Sequence, residues 1–99
     1  MSGGYFDYQQ HHLDEIAYEI EHLIESNKSE ELDEFEEKIG REYSAEVIEK
    51  FEEAVFFLRL ASIYVQRIDW LVSSDDSEES FLNRLHEEMK ELIKEMKEE

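Results

Sequence analysis

The sequence predicts an all-α protein, a small helical bundle of three long helices plus one short helix, completed by oligomerisation. Apolar residues recur at helical spacing in three long segments, no segment alternates with the period of a strand, and proline is absent. Ninety-nine residues suit one domain, 1–99. A chain of that size usually buries only ~65% of its unfolded surface, so contact with further copies would help it.

The first helix is predicted over 7–25, where Leu13, Ile16, Ala17, Ile20, Leu23 and Ile24 form one apolar face. "SNKS" interrupts the pattern. Ser29 then suits the cap of a short helix over 30–39, with Leu32, Phe35 and Ile39 on its face and Gly40 as its stop. Ser44 caps a helix over 45–72 that meets no breaker and spans ~40 Å, with Tyr43 and Ile48 spaced as a hydrophobic staple. In "SSDDSEES", Asp76 and Glu79 have the spacing of a capping box for a last helix over 77–97. There Leu82, Leu85, Met89, Leu92 and Met96 alternate steps of three and four, a seam that requires a covering helix.

The helix over 45–72 holds the most informative pattern. At ~100° per residue, Leu60, Leu71, Tyr64, Phe57, Ile68, Ala61, Val72, Val65 and Leu58 share one sector, which reads as the core face. Arg59, Ser62, Gln66, Asp69 and Ser73 share the polar sector opposite. Phe56, Ile63 and Trp70 recur every seven residues beside that stripe, flanked by Arg59 and Arg67, so this side too is expected to be covered. Three covers are open. The bundle or a second copy packs there, with the arginines paired to carboxylates. A partner protein binds there, since Trp, Tyr and Arg favour such contacts. Or the side lines a pocket for a small phosphorylated ligand, with guanidinium forks on phosphate and aromatic rings on a base.

Composition narrows the chemistry. A formal charge of −18 repels nucleic-acid phosphate and anionic membranes and favours basic partners. The 40% apolar content is too high for a disordered acidic tail. Without cysteine there are no disulfides, thiolate metal sites or cysteine nucleophiles, a pattern that fits a reducing cytosol. Neither a long apolar segment nor the basic start of a signal peptide is present, which predicts a soluble intracellular protein.

Other constellations carry less. His12, Glu15, Glu19 and His22 share a side of the first helix, and "EIEH" has the Glu-x-x-His spacing of ferritin-like sites, but no second such motif completes one. "SSDDSEES" lacks the central glycine and closing glutamate of a calcium loop. No nucleophile is arranged with a base, so no enzyme activity and no cofactor are expected. Rows of carboxylates in "SEELDEFEEK" and "HEEMKELIKEMKEE" read either as solvated faces or as a mimic of duplex phosphates that fills the basic cleft of a nucleic-acid-binding protein.

Two segments, "SGGYFDYQQ" and "YVQRIDWLVSSDDSEESFLNRL", together with "EIAYEIEHLI", resemble small acidic helical proteins of phages, prophages and bacteria. The resemblance carries over no site residue. It implies a non-catalytic protein acting in the host cytoplasm that counters host defence, by holding a nucleotide signal or by occupying a host protein. Physically, Gly3 and Gly4 give a flexible approach to Tyr5, Phe6 and Tyr8, which either staple the first helix or reach a neighbouring subunit. The leading expectation is a homo-oligomer that captures a nucleotide between subunits. Arg59, Arg67 and Arg84 would hold phosphate, Trp70 and Tyr8 would stack with Tyr64 beside them, and Gln66 or Asp69 would read polar edges. The alternatives are the acidic mimic and, after it, a ferritin-like metal protein.

Overall fold

The computed structural model describes residues 5–74 and 76–97, so Gly3, Gly4 and Asp75 lie outside it. Three helices follow in order among the described residues: α1 (Gln10–Ser26), α2 (Ala45–Val72) and α3 (Glu78–Lys97). α2 begins where Ser44 accepts a hydrogen bond from the Val47 amide, as its position before an unbroken helical segment predicts. The Tyr43 ring meets Phe51 edge-on at 5.7 Å between centroids, one turn beyond the expected Ile48. α3 is capped by Ser77, which accepts from the Ser80 amide at 3.1 Å, so the cap lies one residue after the Asp76 expected for it.

Segment 30–39 is not the short helix its apolar spacing suggests. Asp33 Oδ1 accepts from the amides of Phe35 and Glu37, and an isolated antiparallel bridge joins Leu32 to Lys38. Asp in mid-segment offers the backbone a tight turn in competition with helix. Leu32, Phe35 and Ile39 are consequently exposed. Asn27 clamps the ends of this loop, donating to the Tyr43 carbonyl at 3.0 Å and accepting from the Tyr43 amide at 2.8 Å. Gly40 is buried against the end of α1, where a Cβ would lie 2.6–2.7 Å from the carbonyl oxygens of Ser29, Asn27 and Ser26. Its requirement is this close approach rather than the ending of a helix.

α2 is the central element. α1 and α3 each pack on it, and they make no packed interface with each other. Gln10–Gln66 and Arg59–Glu21 set α1 antiparallel to α2, and Arg67–Glu88 together with Glu95 and Met96 beside Val55 and Arg59 set α3 antiparallel to it. The result measures 54 × 28 × 16 Å. α1 and α3 cover only part of α2, and Phe57, Tyr64 and Val72 remain exposed on it.

Burial on α2 departs from the expected amphipathicity, since six of the nine expected core residues are half-buried while Phe57, Tyr64 and Val72 are exposed. The polar stripe of Ser62, Gln66 and Asp69 packs against α1, while Phe57, expected in the core, is 63% exposed. Phe56, Ile63 and Trp70 are half-buried. Among the described apolar residues, Ala17, Val55 and Leu92 alone are fully buried. α1 imposes this departure, because it offers α2 polar groups at Gln10 and Asp14 that find partners on the polar stripe.

Candidate functional site

Because α1 and α3 share α2 as their support with their backbones held apart, a cleft of about 530 Å³ opens between them. Its floor is α2, through Arg59, Ser62, Ile63 and Gln66. One wall is α1, with Gln10, His11 and Asp14, and the other is α3, with Glu87, Glu88, Glu91, Leu92 and Glu95. The α3 acids project on one side because positions 87, 91 and 95 repeat every four residues, about 6 Å apart along the axis.

Five carboxylates thus surround one guanidinium and one imidazole. The guanidinium is occupied, since Arg59 Nη2 is bonded to Glu21 Oε1 of α1. Arg67 is buried just beyond the cleft, with Nε 2.7 Å from Glu88 Oε1, Nη1 3.9 Å from Asp76 Oδ2, and its guanidinium 4.4 Å from the centre of the Trp70 ring. Burial of a cation demands such acids, and the ring face adds to them. Arg84 is exposed and shares a shallow groove with Arg67, Asn83, Glu87 and Glu88.

Asp69 has no exposed surface. It accepts from the Tyr5 amide at 2.9 Å, from Gln10 Nε2 at 3.1 Å and from the Ser73 hydroxyl at 3.2 Å. Desolvation opposes its charge, but these donors and the Phe6 amide outweigh it and hold the carboxyl below its ordinary range. Asp69 therefore ties the N-terminal turn to α2. Tyr5 and Phe6 meet edge-on at 4.9 Å between centroids, which suits the stapling role of these aromatics.

The residues expected to form one ligand site are distributed among several surroundings. Arg59 and Gln66 stand in the cleft, where Gln66 accepts from Gln10 Nε2 at 2.7 Å. Arg67 and Arg84 share the next groove, and the Arg67 guanidinium lies over the Trp70 ring. Asp69 is enclosed, Tyr8 stacks beside His11, and Tyr64 is exposed in the uncovered sector of α2. Sequence reasoning did not single out Asp14 and Glu21, whereas Glu87, Glu88, Glu91 and Glu95 belong to the carboxylate row "HEEMKELIKEMKEE". The pairing of Glu21 with Arg59, 38 positions apart, has no local signal.

His12, Glu15, Glu19 and His22 are exposed on α1, with His12 Nδ1 3.5 Å from Glu15 Oε2 and His22 against the Tyr18 ring. Among the described residues, no three His, Asp or Glu side chains are grouped so as to hold a metal ion. Among the described residues, no helix is long and apolar enough to cross a membrane. Comparison with known proteins gives no match to a family model, a curated protein or a solved structure.

Proposed function

We propose that this chain is a non-catalytic binding protein that occupies the basic surface of a partner protein, presenting carboxylates where that partner would otherwise hold nucleic-acid phosphate. One observation carries the reading: the cleft gathers Asp14, Glu87, Glu88, Glu91 and Glu95, while its single guanidinium is neutralised by Glu21. The local field in such a cleft favours lysine and arginine side chains.

The linear charge supports it. Without Asp75, Glu98 and Glu99, the described residues retain 25 acids against ten Lys and Arg, a net −15 over 54 Å. That is one negative charge per ~3.6 Å, about half the density of duplex DNA at one per ~1.7 Å. With the origin that the sequence resemblance implies, the partner is a host protein and the setting the host cytoplasm.

Sequestration of a phosphorylated nucleotide is the competing proposal. It requires Arg59 and Arg67 to exchange Glu21, Glu88 and Asp76 for phosphate, and it brings a dianion among the cleft carboxylates. Both demands weigh against it energetically.

The test is fluorescence anisotropy with a labelled lysine- and arginine-rich helical peptide. Affinity is expected to fall at least ~10-fold between about 50 and about 300 mM salt. The triple variant Glu87→Gln, Glu91→Gln, Glu95→Gln should bind about tenfold more weakly still. An equal charge change outside the cleft, Glu30→Gln, Glu34→Gln, Glu37→Gln, should have a much smaller effect. Equal losses from the two triple variants would refute the cleft as the site.

A further inference from the structure

Each helix leaves large apolar side chains uncovered: Ile16 and Leu23 on α1, Phe57 and Tyr64 on α2, Leu82 and Ile93 on α3, all 37–63% exposed. Their positions are systematic. Ile16 and Leu23 lie ~160–180° around α1 from Asp14, Phe57 and Tyr64 lie ~140–160° around α2 from Arg59, and Leu82 and Ile93 lie ~160–180° around α3 from Glu91. Asp14, Arg59 and Glu91 all line the acidic cleft. The side opposite the acidic cleft therefore carries an apolar stripe along α2, with exposed His12 and Glu19 beside Ile16 and Leu23 on its α1 flank.

We propose that the apolar side is the contact between two copies of this chain, packed with their α2 helices antiparallel about a two-fold axis that crosses α2 between Ser62 and Ile63. The proposal does not rest on what the cleft binds. It follows first from layering. Helices must bury their apolar stripes against a second layer, and three fully buried apolar side chains do not supply one.

Charge selects the occupant. From Phe57 to Val72 the uncovered sector of α2 has no ionisable group apart from the Tyr64 phenol, whereas the chain as a whole carries −18. Two such chains repel unless they meet over a neutral patch with their clefts turned outward, and this face provides that patch. A basic partner would be drawn to the acidic side instead.

Spacing and area agree. Phe57, Ala61, Tyr64, Ile68 and Leu71 advance in steps of four, three, four and three, the repeat of a helix–helix seam. Antiparallel pairing about the stated axis sets Ala61 against Tyr64 of the second copy and Phe57 against its Ile68, matching small to large in the first pair and filling the second with two large groups. The broad side of the molecule measures 54 × 28 Å. Covering about half of it buries the ~800 Å² per partner of a standard stable interface. In the pair, the two acidic clefts point in opposite directions.

Sedimentation equilibrium of the full chain tests the proposal, with an expected mass of about 24 kDa, twice the 11.9 kDa chain. Higher salt should leave the pair intact or tighten it, because screening reduces repulsion between the copies. Tyr64→Glu should weaken pairing by about 100-fold or more, since it buries an unpaired charge at the axis. In case that variant does not fold, Tyr64→Cys in the otherwise cysteine-free chain should be joined to a second copy by a short bismaleimide, and Glu91→Cys in the cleft should not. A monomeric mass at high micromolar concentration would overturn the proposal, as would cross-linking through Glu91→Cys in preference to Tyr64→Cys.

Discussion

Arg67 and Glu88 hold α2 and α3 together, with Arg67 Nε 2.7 Å from Glu88 Oε1 and the guanidinium seated over Trp70. The cation is buried, whereas 42% of the Glu88 side chain remains exposed. Glu88→Ala removes the nearer acid and leaves Asp76 at 3.9 Å as the remaining partner. The expected loss is about 2 kcal/mol, below the ~3–5 kcal/mol typical of breaking a fully buried pair. Urea unfolding checks it, and Arg67→Met should lose at least as much as Glu88→Ala, because it leaves the nearly buried Asp76 carboxylate without its cation.

Asp69 makes stability depend on pH at the acid end. Its folded pKa lies below the unfolded value of ~3.9, so it stabilises the fold above that value. The contribution disappears as pH falls through the folded pKa. Asp69→Asn should lower stability by about 1–3 kcal/mol at neutral pH, since an amide places a donor against Gln10 Nε2 or the Tyr5 amide. In thermal melts from pH 7 to below 4, the gap between wild type and variant should narrow toward the acid end.

Gly40 is tested by Gly40→Ala. The three carbonyl oxygens within 2.7 Å of the added Cβ are backbone atoms, so a side-chain rotation cannot relieve the clash. A loss of about 2 kcal/mol or more is expected from the forced backbone shift. An unchanged denaturation midpoint would mean that the loop does not pack on the end of α1 as described.

Much of the helical frame was legible because its determinants are local. Ser44 caps α2, nothing between Ala45 and Val72 interrupts it, and its bounds agree with expectation. Segment 30–39 was not legible, because the apolar spacing of Leu32, Phe35 and Ile39 competes with the Asp33 side chain, and the turn prevails. The burial of the polar stripe of α2, and the exposure of Phe57, Tyr64 and Val72, have a nonlocal reason. A wheel shows which side is apolar, but which side is covered depends on what the neighbours present, and α1 presents Gln10, Asp14 and Glu21. Pairing of the arginines with the chain's own carboxylates was one of three open covers, and Glu21 and Glu88 provide it. The residues of the cleft could be named only once α1 and α3 were known to lie apart.

The central claim, that the cleft receives cationic groups, is tested most directly by paired NMR titrations of the isotope-labelled chain. One titrant is the basic helical peptide and the other a cyclic dinucleotide. The account predicts that the peptide shifts amide signals around Asp14, Glu87, Glu91 and Glu95 while the dinucleotide moves none of them. Shifts at Arg59, Arg67 and Trp70 on adding the dinucleotide, with a cleft indifferent to the peptide, would contradict it.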